Sequence, residues 1–343
     1  MMAKAQSCGF PVLPSWAHVG NRLAVVPEQE AFHTKTRIDS LVREYIAHIF
    51  ASKRFSGARV DAWYLQTMFG MRPKTGPRID AEFLEEITAT AVSRFLDALM
   101  RERKLSGKTV NRFRELLNRL INWAARERGI IMPGHVNPVA FVRPYKERRT
   151  AVRYLTLDDI KRQFDALENH PVIKAMAAMF IFAGLRRSEL LWLTRADVDL
   201  KASRHGVVRI RAKKVSGQFW ETKTGKDRSV PVNSALRSFL DVYEAIADPD
   251  RVWFFPSSRG GRWDPDNFAE RLREINRAAG LSWSCLDFRH TFGSQLAMKG
   301  VSLYKISELM GNSPEVCRRH YAVLSMECLI DEVEFPSLLE PNK

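Results

Sequence analysis

Two glycines and two serines cut residues 285–324 into three short helices, and no other part of the chain limits its fold so tightly. The stretch reads CLDFRHTFGSQLAMKGVSLYKISELMGNSPEVCRRHYAVL. Asp287 is placed to cap the first helix, which carries Phe288, Phe292, Gln295, Leu296 and Lys299 until Gly300 stops it. Ser302 caps a second, with Leu303, Ile306, Leu309 and Met310 on one face and Gly311 at its end. Ser313 caps a third, with Pro314 at the first helical position, where its missing N–H removes no intrahelical bond. Two turns along that helix stands Tyr321, behind Arg318, Arg319 and His320. Arg289 and Tyr321 therefore come from different helices held together by tight turns.

The charge of the whole chain agrees with this basic cluster. Of 343 residues, 54 are Lys or Arg and 39 are Asp or Glu, a net charge of +15. That balance suits a polyanionic partner, nucleic acid first and an acidic membrane surface second. The length and a 45% hydrophobic content allow two domains, each with its own core. No apolar run approaches membrane-spanning length, and MMAKAQSCGFPVLPSW lacks the apolar centre of a secretory signal, so a cytoplasmic protein is expected. Cys8, Cys285, Cys317 and Cys328 show no CxxC spacing, which argues against a zinc site or a disulfide framework. Without a Gly-rich phosphate loop or a carboxylate cluster at metal-ligand spacing, no cofactor or metal is expected.

Residues 1–35 carry Pro11, Pro14, Gly20 and Pro27 without a sustained period and read as an extension. From Thr36 the spacing of Ile38, Leu41, Val42, Tyr45, Ile46, Ile49 and Phe50 predicts an amphipathic helix. A second helix is expected at Val60–Phe69, and a third capped by Thr90. The longest follows Ser106-Gly107 and turns Val110, Phe113, Leu117, Leu120, Ile121 and Ala124 inward. Lys108, Arg112, Arg114, Arg119, Arg126 and Arg128 lie mostly elsewhere on it, with Glu115 and Glu127 as their few acidic neighbours. Most such faces are merely solvated, but this one-signed charge favours phosphate contacts. Pro133, Gly134, Pro138 and Pro144, then Lys146-Glu147-Arg148-Arg149, read as a linker. Thr156 then caps a helix whose first turn holds Asp158 and Asp159. Short strands follow from Gly206, with Gly225 at a hairpin tip between Trp220 and Arg228, and further helices near Ser234–Ala245 and Asn267–Ala279. Beyond Tyr321 the tail turns acidic.

The C-terminal arrangement resembles the signature of the tyrosine recombinases, the phage integrase family. Arg289-His290-Thr291-Phe292 is similar to the family's second arginine box, and Met310-Gly311-Asn312 to the glycine turn after it. Tyr321, nine residues past Asn312, falls where the family has its nucleophile. Upstream, Gly184-Leu185-Arg186-Arg187-Ser188-Glu189 resembles the first arginine box. Thr222-Lys223-Thr224-Gly225-Lys226 resembles the lysine hairpin.

The resemblance implies a mainly α fold with a small antiparallel β-sheet. After the extension, a helical core-binding domain spans 36–145 and a mixed α/β catalytic domain 146–326, with 327–343 as a tail that docks on a neighbouring protomer. It implies DNA strand breakage and rejoining through a 3′-phosphotyrosyl intermediate. Tyr321 is then the nucleophile, Arg186 and Arg289 the phosphate ligands, Glu189 the support of Arg186, and Lys223 the acid for the leaving oxygen. Arg187, the competitor for the first arginine role, is expected to point elsewhere. Lys108, Arg112, Arg114 and Arg119 become DNA contacts. The partners implied are double-stranded DNA and further copies of the chain, as a tetramer on paired sites, with room for accessory DNA-bending or directionality factors. Two positions depart from the pattern. Leu286 stands where the family has a histidine, and Asn312 where it has a histidine or tryptophan; Asn312 can still donate to a phosphate oxygen. His290 is expected to pack into the domain, His320 to leave the third helix on another face, and Cys285, Leu286 and Phe288 to pack around Arg289. The departures keep two rivals open: a DNA-binding protein that has lost cleavage, and a tyrosine topoisomerase or telomere resolvase.

Overall fold

The computed structural model describes residues 35–72, 76–130, 132, 136–147 and 151–325. The extension up to residue 34, the tail, Cys8 and Cys328 lie outside them. The chain divides into two compact units, Met1–Arg149 and Thr150–Lys343.

The first unit is built on α1 (Ile38–Ser52), α2 (Phe55–Met68), α3 (Ala89–Glu102) and α4 (Gly107–Arg128). The expected period is present: α1 buries Ile38, Leu41, Val42, Tyr45 and Ile49 against Val110, Phe113, Leu117, Leu120 and Ile121 of the same core. Ser106 caps α4 by accepting the Thr109 N–H. Two starts differ from the sequence reading. α2 opens at Phe55, and α3 is capped by Thr88 rather than Thr90, because extended Thr88 places its Oγ1 3.1 Å from the Ala91 N–H.

In the second unit, α5 (Leu157–Ala166), α6 (Pro171–Ala183) and α7 (Arg187–Leu191) precede five strands. β1 (Val198–Asp199), β2 (Val207–Ile210) and β5 (Arg228–Pro231) form an antiparallel sheet in the order β1-β2-β5, with Val208 opposite Val198 and Val230. Val208, Ile210 and Val230 turn into the main core, as a period of two requires. β3 (Lys213–Val215) and β4 (Gln218–Trp220) form a separate hairpin. Its tip is Ser216-Gly217, both at positive φ, the pair a two-residue hairpin needs. The tip expected at Gly225 is instead a separate turn, closed by the Gly225 N–H on the Thr222 carbonyl at 3.1 Å.

Helices α8 (Ser234–Glu244) and α9 (Pro265–Ala278) complete the core before α10 (Cys285–Met298), α11 (Leu303–Met310) and α12 (Pro314–Tyr321). Ser302 and Ser313 cap α11 and α12 as expected. The cap of α10 is Ser284, not Asp287: Asp287 is its N3 residue and returns a carboxylate to the Ser284 N–H at 2.8 Å. Phe292, Ala297, Ile306, Met310, Cys317 and Tyr321 form a small core that fixes α10, α11 and α12 to one another.

Candidate active site

α6 ends at left-handed Gly184, and the chain leaves it extended, so Arg186 becomes the residue before α7. Its backbone N–H and its Nη1 both donate to Glu189, each at 2.7 Å. Arg187 faces away and donates to the Pro265 carbonyl. Arg289, only 6% exposed on α10, donates through Nη1 to the Gly184 carbonyl and through Nη2 to the Met310 carbonyl at 2.6 Å. Thus the two predicted arginines, far apart in sequence, meet over the turn between α11 and α12.

Asn312 joins them. Its Oδ1 accepts from Arg186 Nη2 at 2.7 Å and from Arg289 Nη2 at 3.0 Å. Guanidinium groups only donate, so the carbonyl end must face them. Asn312 thus orients both arginines through its Oδ1.

Glu189 is 1% exposed. Burial alone would raise its carboxyl, but the hydrogen bonds and charge of Arg228, with the charge of Arg186, bring it down to about 2. Arg228 was missed in the sequence. The available signal was a charged residue sharing the inward face of β5 with Val230, two positions on.

Lys223 is solvent-exposed in the turn after β4, and among the described residues no hydrogen bond or ion pair ties it to the arginines. The hairpin before it is anchored: Trp220 stacks on Trp192 at 6.0 Å, and Lys213 pairs with buried Asp197. Tyr321, 0% exposed, ends α12 with its Oη 2.9 Å from His290 Nδ1. Its ring lies on Gly293, where a Cβ would stand 2.5 Å from Cζ, so only glycine leaves room for it. Burial raises the phenol above its usual value. The expectation that His290 merely packs in the domain needs amending, because it is the hydrogen-bond partner of the tyrosine. His320 does not leave on a separate face either: its ring centre is 5.5 Å from that of His290. Leu286 is 59% exposed and is no wall around Arg289; it projects from the first turn of α10, whereas Phe288 is fully buried.

In the first unit, Arg112 donates to Asp61 at 2.7 Å and Arg119 lies 3.8 Å from the same carboxylate, which also binds Lys53. Asp61 comes from α2 and is 1% exposed, so the basic face of α4 has an acidic partner that spacing along α4 could not reveal. Arg114 is committed to the Val139 and Val142 carbonyls. Lys108 faces solvent.

His290 carries a pH prediction. Burial first, then His320 and Arg289, lowers its imidazole from 6.5 to about 4. Between those values the unfolded chain binds the proton and the folded chain does not, so stability should fall as pH drops from about 6.5 to about 4. The loss attributable to this group is below about 3.5 kcal/mol, from roughly 1.4 kcal/mol per pKa unit, and the partial exposure of the ring reduces it further. Thermal unfolding of wild type and His290→Gln across this window should show a shallower pH slope in the variant; equal slopes would contradict the assignment.

A family model described as "Phage integrase family" matches residues 153–327. A tyrosine recombinase XerC-like protein of Caldanaerobacter subterraneus is 25% identical over 263 residues, covering 66% of this chain and 64% of its own. Tyrosine recombinase XerC of Thermodesulfovibrio yellowstonii is 28% identical over 211 residues, covering 57% of this chain and 66% of its own. The matches thus span just under two thirds of these relatives. Among solved structures, a lambda integrase tetramer bound to a Holliday junction superposes with a TM-score of 0.64 at 17% identity, covering 87% of this chain and 83% of its own, a likeness of fold. Since the matched segment takes in more than half of the sequence and both arginines, Lys223 and Tyr321 within it, the chain belongs to the phage integrase family.

Proposed function

We propose that the protein is a site-specific DNA recombinase that cuts and rejoins strands through Tyr321. The observation that carries this reading is the meeting of Arg186 and Arg289 on Asn312, with His290 next to Arg289 on α10 and its partner Tyr321 at the end of α12. Each arginine commits three N–H groups to protein acceptors and keeps its Nε–H and one Nη1–H for a phosphate. In cleavage, Tyr321 Oη bonds to phosphorus and the P–O5′ bond breaks. The phenolic proton passes to solvent, since leaving the Gly293 pocket parts the hydroxyl from His290, and the departing 5′-oxygen takes a proton from Lys223. The products are a 3′-phosphotyrosyl ester and a 5′-hydroxyl, and a partner strand's 5′-hydroxyl reverses the step without ATP. Charge gathering on the non-bridging oxygens is met by guanidiniums already fixed in place. Because Tyr321 is buried, DNA engagement must draw α12 out of the Gly293 pocket before attack.

The first unit serves as the core-binding domain of this reading, with Lys108 and the cluster of Lys53, Arg112 and Arg119 around Asp61 giving it a net positive surface. Assembly as a tetramer on paired DNA sites is part of the proposal, supported by the tetramer that the similarly folded lambda integrase forms on a Holliday junction. Accessory DNA-bending or directionality factors fit within it.

The test uses duplexes from the DNA flanking the gene, nicked so that the 5′-hydroxyl fragment escapes, and a denaturing gel for covalent adduct. Adduct by wild type is expected; its absence on every duplex favours a binding protein without cleavage, a reading to which Leu286 lends weight. Lys223→Ala should slow adduct formation about 10²- to 10⁴-fold, the value of a positioned acid. A bridging 5′-sulfur leaves without protonation and should restore the rate. Equal slowing on both substrates would remove Lys223 from that role.

A further inference from the structure

We infer that Arg228 is a positioning residue of this site, holding and offsetting Glu189 so that the site keeps its net positive charge and Arg186 and Arg289 keep their register for the phosphate. The inference rests on the strand-cleavage reading. Arg228 binds Glu189 with both arms, Nη1 to Oε1 at 2.9 Å and Nη2 to Oε2 at 2.7 Å. Its Nε donates to the Leu309 carbonyl at 2.9 Å. Three successive carbonyls at the end of α11 therefore each receive one arginine: Leu309 takes Arg228, Met310 takes Arg289 and Gly311 takes Arg186. These are carbonyls that a helix C-terminus leaves without intrahelical donors, and cations are favoured there. Gly311 permits the approach, because a Cβ would stand 2.8 Å from Arg228 Nη1.

Charge gives this geometry its consequence. Arg186, Arg228 and Arg289 surround one carboxylate, so the cluster holds a net charge of +2 in a largely dry setting. Without Arg228, Glu189 would cancel one of the two charges that a phosphate needs. The same guanidinium ties β5 to the end of α11, one turn before the helix that carries Tyr321. Arg228 need not touch DNA to act.

The experiment measures adduct formation on two otherwise identical duplexes, one with a normal scissile phosphodiester and one with an uncharged methylphosphonate. Wild type must first form adduct on the phosphodiester, and its failure there rejects the cleavage reading itself. Given that activity, Arg228→Gln should be slowed about 10- to 100-fold on the phosphodiester, less than the roughly 10²- to 10³-fold cost of removing a direct donor. On the methylphosphonate the loss should nearly vanish. The double variant E189Q/R228Q, which again has net +2, should regain most of the rate. Because the ratio of the two substrates is taken on one preparation, a reduced folded fraction does not alter it. If the single variant does not fold, Arg228→Lys keeps the charge and should keep the wild-type ratio while slowing both reactions. Equal slowing of both substrates by Arg228→Gln, no slowing at all, or a shifted ratio in Arg228→Lys would overturn the inference.

Discussion

Tyr321→Phe is expected to abolish covalent adduct while leaving the fold and DNA binding in place. The variant loses one oxygen and keeps the ring, and the ring supplies the packing: it is fully buried against Gly293 and in the core shared by α10, α11 and α12. Among the described residues the hydroxyl makes a single hydrogen bond, to His290 Nδ1 at 2.9 Å. Losing it should cost about 1 kcal/mol, the net value of such a bond. For a domain of this size that lowers the unfolding midpoint by roughly 2–4 °C. The effect on chemistry is of another order, since no oxygen remains to bond to phosphorus. A denaturing gel with wild type and variant on the nicked duplex, beside a melting curve for each, separates the two effects. Adduct formed at the wild-type rate by Tyr321→Phe would assign the nucleophile to another residue.

Features set by neighbours along the chain were legible in the sequence. The caps at Thr156, Ser302 and Ser313, the left-handed close of α11 and the buried face of α1 each follow from residues within a few positions. One cap was placed three residues late: Ser284, not Asp287, opens α10, because a reciprocal capping box satisfies two donors instead of one. What sequence spacing could not supply were partners brought by tertiary packing. Asp61 and Arg112 meet across two helices, and Arg228 reaches Glu189 from a strand. Both pairs change the reading of a charge, one from a free basic face to a partly offset one, the other from a supporting carboxylate to a shared one. The exposure of Leu286 belongs to the same class. Its neighbours Cys285 and Phe288 suggested packing, but the first turn of α10 leaves its side chain in solvent.

Arg289→Ala should produce the other large effect, and here stability and catalysis fall together. Burial, and the nearby charge of Arg186, lower the Arg289 guanidinium to about 10, so it is still charged at neutral pH. Alanine would leave the carbonyls of Gly184 and Met310 without this donor and Asn312 Oδ1 with only Arg186. Removing one member of a buried charged network costs about 3–5 kcal/mol, which denaturant unfolding would detect. Adduct formation should drop by at least about 10²-fold through loss of charge at the non-bridging oxygens. Arg289→Lys divides these contributions. An ammonium restores the charge but brings three donors on one atom, too compact to span Gly184, Met310 and Asn312 and still face a phosphate. The lysine variant should therefore recover part of the stability and little of the cleavage rate. Cleavage by Arg289→Ala within about tenfold of wild type, in protein shown to be folded, would mean that Arg186 alone supplies the charge stabilisation usually worth that much or more. The phosphate would then have to be bound on the Arg186 side of Asn312, and the meeting of two arginines at that residue would be a device for holding α11 rather than for catalysis.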